Sequence, residues 1–466
     1  MSQRTTRFGV ALILALAMIL GACGPAVTPT PAQPTTAVQL QPTAPQPTAV
    51  PTEAPFVLTM WWWGEQGLGQ EEWVNDTIAR YEKLHPNITV DVVFQGLDEV
   101  LTNFAAAGEA NQGPDIATLW YGMYMYDALW ANQLAPIDAY VSKDEMSHWS
   151  GMALNYFDGK MWAGNIYNQS NSMSYNKKLF AQAGLDPERP PLTWDEFMAD
   201  CAALKKAGIT CVGIGTKDGW VQGPFTNLFM SQTTSVKDVT AAVIGDRSWT
   251  EKPFADFWYR VAELRDKGYV NEDATSLDYF TGQSLLEAGK AAFTFHASDA
   301  SAAMILRAGD DVIGSMAAPS VTGQPLGWLP GISYAFFITT WSPQKAAAAD
   351  FITFFHTPDV LNSAYAQMKG VVLPADDRFD SSVVEIPGIR NIVALQQEGF
   401  RINELHLDAI LPWAIMGDGM MPAFQLMFSE NMSPEEAAAM TEEAIKNWRA
   451  QNPEVLGKYE QFAAGQ

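Results

Sequence analysis

Hydrophobic and polar positions fall into three regimes along the chain. Residues 8–20 (FGVALILALAMIL) form an unbroken apolar run behind Arg4 and Arg7. At 13 residues the run is short for a spanning helix, which needs about 20, and fits the core of a secretory signal. Residues 24–55 then carry nine prolines and seven threonines and almost no core-forming side chain. Such a stretch favours extended polyproline II, and at about 3.1 Å per residue its reach has an upper limit approaching 100 Å. From Phe56 onward the pattern alternates between strand and helix periods. Residues 57–63 (VLTMWWW) read as a buried strand ending at Gly64. Residues 71–84 place Trp73, Thr77, Ile78, Tyr81 and Leu84 on one helical face, and His85-Pro86-Asn87 stops that helix. A strand over 88–94, a helix over 97–107 and a turn and strand over 113–120 follow. Strand–helix–strand alternation predicts an α/β fold with a largely parallel sheet covered by helices. Ligands on such sheets sit beyond the carboxyl ends of the strands, here Trp63–Gln66 and Trp120–Tyr121.

Length and charge narrow the picture. A chain of 466 residues is about three common domains long, so two lobes are the starting expectation. Acids outnumber bases 52 to 28, and a net charge of −24 repels phosphate backbones and argues against a nucleic-acid partner. Three cysteines exclude a disulfide-built miniature and a multi-cysteine zinc module. Of these, Cys23 follows Leu20-Gly21-Ala22, a sequence that resembles the bacterial lipobox, in which the cysteine is acylated and becomes the new N-terminus. Residues 1–22 are therefore read as a lipoprotein signal peptide and 23–55 as lipid-anchor cysteine and linker. The body, 56–466, hangs from the outer face of the cytoplasmic membrane, at the cell surface or in the periplasm. Cys201 and Cys211 lie in an exported part of the chain, where a disulfide between them is permitted. Sixteen tryptophans suit a surface that stacks on flat ligands as well as a core.

Several motifs occur in one order: a Trp-ending first strand, His85-Pro86-Asn87-Ile88-Thr89-Val90, Gly113-Pro114-Asp115-Ile116, Leu134-Ala135-Pro136-Ile137 and Gly159-Lys160-Met161-Trp162. They continue through Tyr175-Asn176-Lys177-Lys178-Leu179-Phe180, Pro191-Leu192-Thr193-Trp194-Asp195-Glu196-Phe197, Glu287-Ala288-Gly289-Lys290-Ala291-Ala292-Phe293 and the helix 346–355 before Thr357-Pro358-Asp359. Thr193 and Glu196 also form a capping-box pattern, and Ser433-Pro434-Glu435-Glu436 opens a capped amphipathic helix. Together these motifs resemble the family 1 extracellular solute-binding proteins of ABC importers, of which maltose-binding protein is the familiar member. The resemblance implies a two-lobed type II periplasmic-binding-protein fold that closes around a ligand and hands it to the transmembrane subunits of a permease. It implies crossings near 164–170 and 326–334, with an N-lobe of roughly 56–165 plus part of 290–350. The C-lobe would take roughly 170–290 plus the C-terminal helices. A monomer without cofactor or metal is expected.

Ligand contacts carried over by position are Glu65 and Gln66 after the first strand, and Trp120 and Tyr121 after the third. Asn168 and Gln169 stand at the first crossing, and Trp220 lies in the loop after a strand at 212–215, a family position for stacking aromatics. Trp63, Trp328 and Trp413 are candidate walls. One departure stands out: where the family has a stacking tryptophan after Phe295, this chain has His296-Ala297-Ser298-Asp299. Asp299 exchanges a stacking face for a charge-assisted acceptor, which leaves smaller or more polar ligands open beside maltose-like oligosaccharides. Aromatics with Asp, Glu, Asn and Gln suit a carbohydrate, whose rings offer apolar CH faces and fans of hydroxyls. A polyamine is the alternative small solute.

An enzyme is the competing class. The five histidines show no metal-ligand spacing. Gly331-Ile332-Ser333-Tyr334-Ala335 misses the nucleophile elbow at its last position, and Gly213-Ile214-Gly215 opens a dinucleotide fingerprint that fails at Asp218. A glycoside-hydrolase carboxylate pair stays open, because the separation of two acids is invisible in sequence.

Overall fold

The computed structural model describes residues 54–63, 69–323, 329–370, 373–399 and 409–465. Its first strand, β1 (Phe56–Trp63), pairs in parallel with β2 (Ile88–Gln95) from Phe56 opposite Ile88 to Trp63 opposite Gln95. Helix α1 (Gln70–Leu84) returns the chain between them, and α2 (Leu97–Ala110) leads to β3 (Ile116–Trp120), also parallel to β1. Asp115 explains the Gly-Pro-Asp motif. Its Oδ2 accepts from the Thr59 N–H and hydroxyl, both at 2.8 Å, and its Oδ1 accepts from the Ser342 hydroxyl at 2.6 Å. One carboxylate thus aligns two strands and the segment at 342.

Helix α1 buries Trp73, Val74, Thr77, Ile78 and Tyr81, the expected stripe, with one exception. Leu84 has the right phase but is 65% exposed. It is the final helical residue; the His85 N–H closes onto Tyr81 O and the chain turns down to β2, so nothing lies over that position. Periodicity predicts a direction, and cover depends on where the helix stops.

The sheet is not largely parallel, contrary to the alternation. Its order is β2, β1, β3, the strand Leu329–Thr339, the strand Gly164–Asn176, then Ala291–Ala297 and Thr210–Val212. Only the flanks are parallel, β2–β1–β3 on one side and 291–297 with 210–212 on the other. The two long middle strands run antiparallel to each other and to their outer neighbours. Both return from elsewhere in the chain, so sequence adjacency says nothing about their direction. The 164–176 strand is shared. Its first half pairs with the 329–339 strand, and its second half with 291–297 and with Ile313–Met316.

Local signals read from the sequence are realised. Thr193 and Glu196 form a capping box on the helix Trp194–Lys206, and Ser433 and Glu436 form one on Pro434–Gln451. Cys201 on the first of these helices and Cys211 on the 210–212 strand are joined as a disulfide, with Cα atoms 5.0 Å apart. Among the described residues no helix is long and apolar enough to cross a membrane.

Candidate functional site

At the carboxyl ends of β1 and β3, and on the antiparallel middle strands beside them, the side chains become aromatic, and register explains why they meet. Tyr334 lies opposite Trp120 on one side and opposite Tyr167 on the other, so three strands contribute one row on one face. The Tyr167 and Tyr334 rings are 4.4 Å apart, and Tyr334 stacks on Trp63 at 4.4 Å with 10° between planes. Trp63 is 5.1 Å from Trp120 and donates its backbone N–H to the Thr118 hydroxyl at 2.8 Å. The row is packed: Trp63 is 6% exposed and Trp120 9%.

The row carries unused hydrogen-bonding capacity. Gln70, buried at the start of α1, donates its amide to the Tyr167 hydroxyl at 3.4 Å, and its Oε1 has no donor among the described residues. The Trp120 indole N–H likewise has no acceptor among them. Both atoms are buried, as are the indole N–H groups of Trp62, Trp249 and Trp258 in the core, equally unpaired among the described residues.

The turn after β3 extends the row. Gly122 (φ 74°) opens helix α3 (Met123–Trp130), and any Cβ there would run into the backbone of Ala409. That approach sets Tyr124 5.0 Å from Trp120 and 5.6 Å from Trp413, which is 40% exposed at the start of a helical run. Asp127, one turn along α3, is open to solvent, yet the surrounding protein pushes its carboxyl up to about 6.

A second aromatic group lies on the 213–221 loop. Asn271 holds Ile214 by both backbone groups, through bonds of 2.9 and 3.0 Å. The Thr216 and Lys217 N–H groups donate to Ala274 O and Leu277 O. Asp218 accepts from the Tyr279 N–H at 2.9 Å. Gly215 passes so close to Asp278 that a Cβ would collide with its backbone. The pinned loop places half-buried Trp220 4.5 Å from Tyr279.

Glu65, Gln66, Trp328 and the anchor Cys23 lie outside the described residues. Asn168 and Gln169 belong to the 164–176 strand, Asn168 opposite Ser333 and Leu373, and Asp299 to the first turn of the helix Ser298–Ala308. The side chains of all three also lie outside the described residues. Tyr121 is buried beside Trp120. The strand before Trp220 is shorter than expected, Thr210–Val212. No group of three metal-ligating side chains forms among the described residues. Gln70, Tyr124, Tyr167, Tyr279 and Tyr334 were not read from the sequence. The one signal was Tyr334 inside the rejected Gly331–Ala335 pattern.

Residues 67–362, well over half of the chain, match the model of the bacterial extracellular solute-binding proteins. The chain belongs to that family, family 1 of the extracellular solute-binding proteins. A sn-glycerol-3-phosphate-binding periplasmic protein of Yersinia pestis is 31% identical over 182 residues, 37% of this chain. One from Pectobacterium atrosepticum is 30% identical over the same length. The chain spans about two fifths, 39%, of the length of these curated relatives. Among solved structures, a chitin oligosaccharide binding protein superposes with a TM-score of 0.74 at 21% identity, covering 85% of this chain and 99% of that one. The GacH receptor of Streptomyces glaucescens, solved free and with acarbose, does so at 0.69 and 18%, covering 86% and 100%. The solute-binding protein therefore has the two-lobed periplasmic-binding-protein fold, and its relatives are binding proteins.

Proposed function

We propose that this chain is the lipid-anchored capture component of an ABC importer that closes its lobes around a carbohydrate and delivers it unchanged to a membrane permease. The observation that carries the reading is the aromatic row at the strand ends, Tyr167–Tyr334–Trp63–Trp120, extended through Tyr124 to the exposed face of Trp413. The flat faces of these rings suit the apolar CH faces of sugars. Trp220 and Tyr279 supply the facing wall. The chain crosses between lobes near 164–170 and 326–334, with the N-lobe over roughly 56–165 plus part of 290–350 and the C-lobe over most of 170–290 and the C-terminal helices. Closure is driven by contacts that a ligand makes to both sides. Cys23 carries the lipid, residues 24–55 the tether, and the body acts as a monomer. Glu65, Gln66, Asn168, Gln169, Asp299 and Trp328 complete the ligand shell in this reading.

The test is thermal shift of the purified protein against mono- and oligosaccharides, polyamines and sn-glycerol 3-phosphate. A ligand at about 100 times its Kd adds about 2.7 kcal/mol of stability. A carbohydrate that shifts melting and returns intact by mass spectrometry supports capture. A cleaved product makes the protein a glycoside hydrolase, and a shift with polyamines alone ends the sugar reading.

A further inference from the structure

Residues 413–429 form one helical run, Trp413–Ile415, a π-helical turn at Met416–Met420, and Met421–Ser429. Its two sides are unlike. Ile415, Met416, Gly419, Met420, Ala423 and Phe424 are buried, and Gly419 backs so closely on Thr441 and Ala444 that the 434–451 helix must be what covers this side. On the opposite side Trp413, Ala414, Gly417 and Asp418 are exposed, and Met421 and Gln425 are half-buried. These six positions recur at helical spacing, so they make one stripe.

The ends of the stripe locate it. Trp413 touches Tyr124 of the strand-end aromatic group. Met421 lies against Gly219, next to Trp220, and Gln425 donates to Thr216 O and Lys217 O at 3.2 and 2.8 Å. The stripe therefore spans the two aromatic groups, with about 12 Å of helix between Trp413 and Met421. Its middle is bare: a Cβ built on Gly417 meets nothing within 4 Å. Asp418, beside that gap, has no ion pair or hydrogen bond among the described residues. A π-turn in an otherwise α-helical run is a frequent mark of a functional site.

Around the described part of the stripe, acids lie on its own run and on α3, and Lys217 lies on the loop at its far end. Asp127 stands one turn from Tyr124, and the described parts of β1, β3, α3, the 413–429 run and the helix Tyr279–Glu287 hold no Lys or Arg. Lys217 lies near Asp278, whose carboxyl is held below the usual range by the Thr281 N–H and hydroxyl and, more weakly, by this ammonium.

We propose that Asp418 determines specificity. It accepts hydrogen bonds from the hydroxyls of a neutral oligosaccharide lying along the 413–421 stripe, and its charge turns away phosphate esters such as the one named for the curated relatives. The proposal rests on the carbohydrate reading above and adds which sugars enter. Losing a charge-assisted acceptor should weaken binding by about tenfold to a hundredfold.

The experiment is titration calorimetry on the full chain with chitotriose, xylotriose, maltotriose and sn-glycerol 3-phosphate, alongside the melting temperature without ligand. The wild type is expected to bind at least one neutral trisaccharide and not the phosphate ester. D418N is expected to bind that trisaccharide about tenfold or more weakly with an unchanged unliganded melting temperature. A414W, which fills the stripe beside Asp418, is expected to abolish binding. Wild-type affinity retained within twofold in D418N, full binding by A414W, or wild-type binding of sn-glycerol 3-phosphate each overturns the proposal while leaving capture intact. A wild type that binds none of the three and is shifted by no carbohydrate in the thermal screen overturns capture itself, a result read before any variant is made.

Discussion

Trp62 and Trp63 are consecutive on β1, both buried, and they belong to different parts of the molecule. Trp62 points to the helix-covered face, where Trp73 of α1, Phe336 and Phe355 surround it at 5.8–6.2 Å. Trp63 points the other way, into the row of Tyr334 and Trp120. The aromatic neighbours of Trp62 carry no hydroxyl; those of Trp63 lead to Tyr334, Tyr167 and Tyr124. A strand turns alternate side chains to opposite faces, so one tripeptide supplies both core and candidate wall. Burial alone does not separate the two roles; the chemistry of the neighbours does.

That contrast can be broken by substitution. Trp62→Ala should cost about 3–5 kcal/mol in urea unfolding, the range for deleting a large core aromatic. Ligand affinity of the fraction that stays folded should be unchanged. Arg378→Ala should cost nearly as much, about 3 kcal/mol, because it leaves a buried carboxylate uncompensated. The Arg378 guanidinium binds Asp376 at 2.7 and 2.9 Å and Glu145 at 2.5 and 2.9 Å, and Asp376 also meets buried His356 at 3.0 Å. Trp63→Ala should cost about 2 kcal/mol, less than Trp62→Ala because the cleft side can relax, and it should also weaken sugar binding. If Trp63→Ala leaves the ligand Kd unchanged, the row is core and not wall.

A smaller effect tests the same contrast by pH. Burial drives the His356 imidazole below its ordinary value despite Asp376 beside it, so the folded protein keeps it neutral. The unfolded chain binds the proton more readily, and stability is complete above about pH 6.5 and falls as the pH drops below it. Burial alone would raise the Asp376 carboxyl, but hydrogen bonds from Arg378 and His356 outweigh it and hold it low. Its contribution is complete above about pH 4 and is lost as the pH falls through its depressed folded value. His356→Asn should flatten the limb below pH 6.5 and leave the acid limb in place, as read by melting temperature from pH 8 to 3. The least costly change to stability should be Trp220→Ala, a half-buried ring on a loop pinned by backbone hydrogen bonds. Melting without ligand should move little, and sugar affinity should fall about two- to tenfold.

Features that depend on near neighbours were legible from the chain alone. The boundaries of β1, α1, β2 and β3 come from hydrophobic period, and the Thr193 and Ser433 caps from residues three apart. Trp63 and Trp120 could be named because each closes a strand that the pattern already bounds, whereas Trp220 was carried over from the family resemblance and Trp413 was named only as a candidate wall. Tyr334 and Tyr167 could not. Their meeting depends on the register of strands separated by some 160 residues of chain, with shifts between Pro330 and Ser333 and again at Tyr334. Leu84 had the right phase without a cover, and Asp418 sits in a segment whose exposed side is set by a helix that follows it.

By itself, the sequence determined the elements, the family and the acidic, aromatic character of the chain, since propensity, capping and hydrophobic period act over a few residues. The tertiary structure decided that the middle of the sheet runs antiparallel, that Trp62 and Trp63 face different worlds, and that one stripe of a late helix joins two aromatic groups. Those outcomes rest on long-range strand register and helix packing, which depend on the whole chain being in place at once.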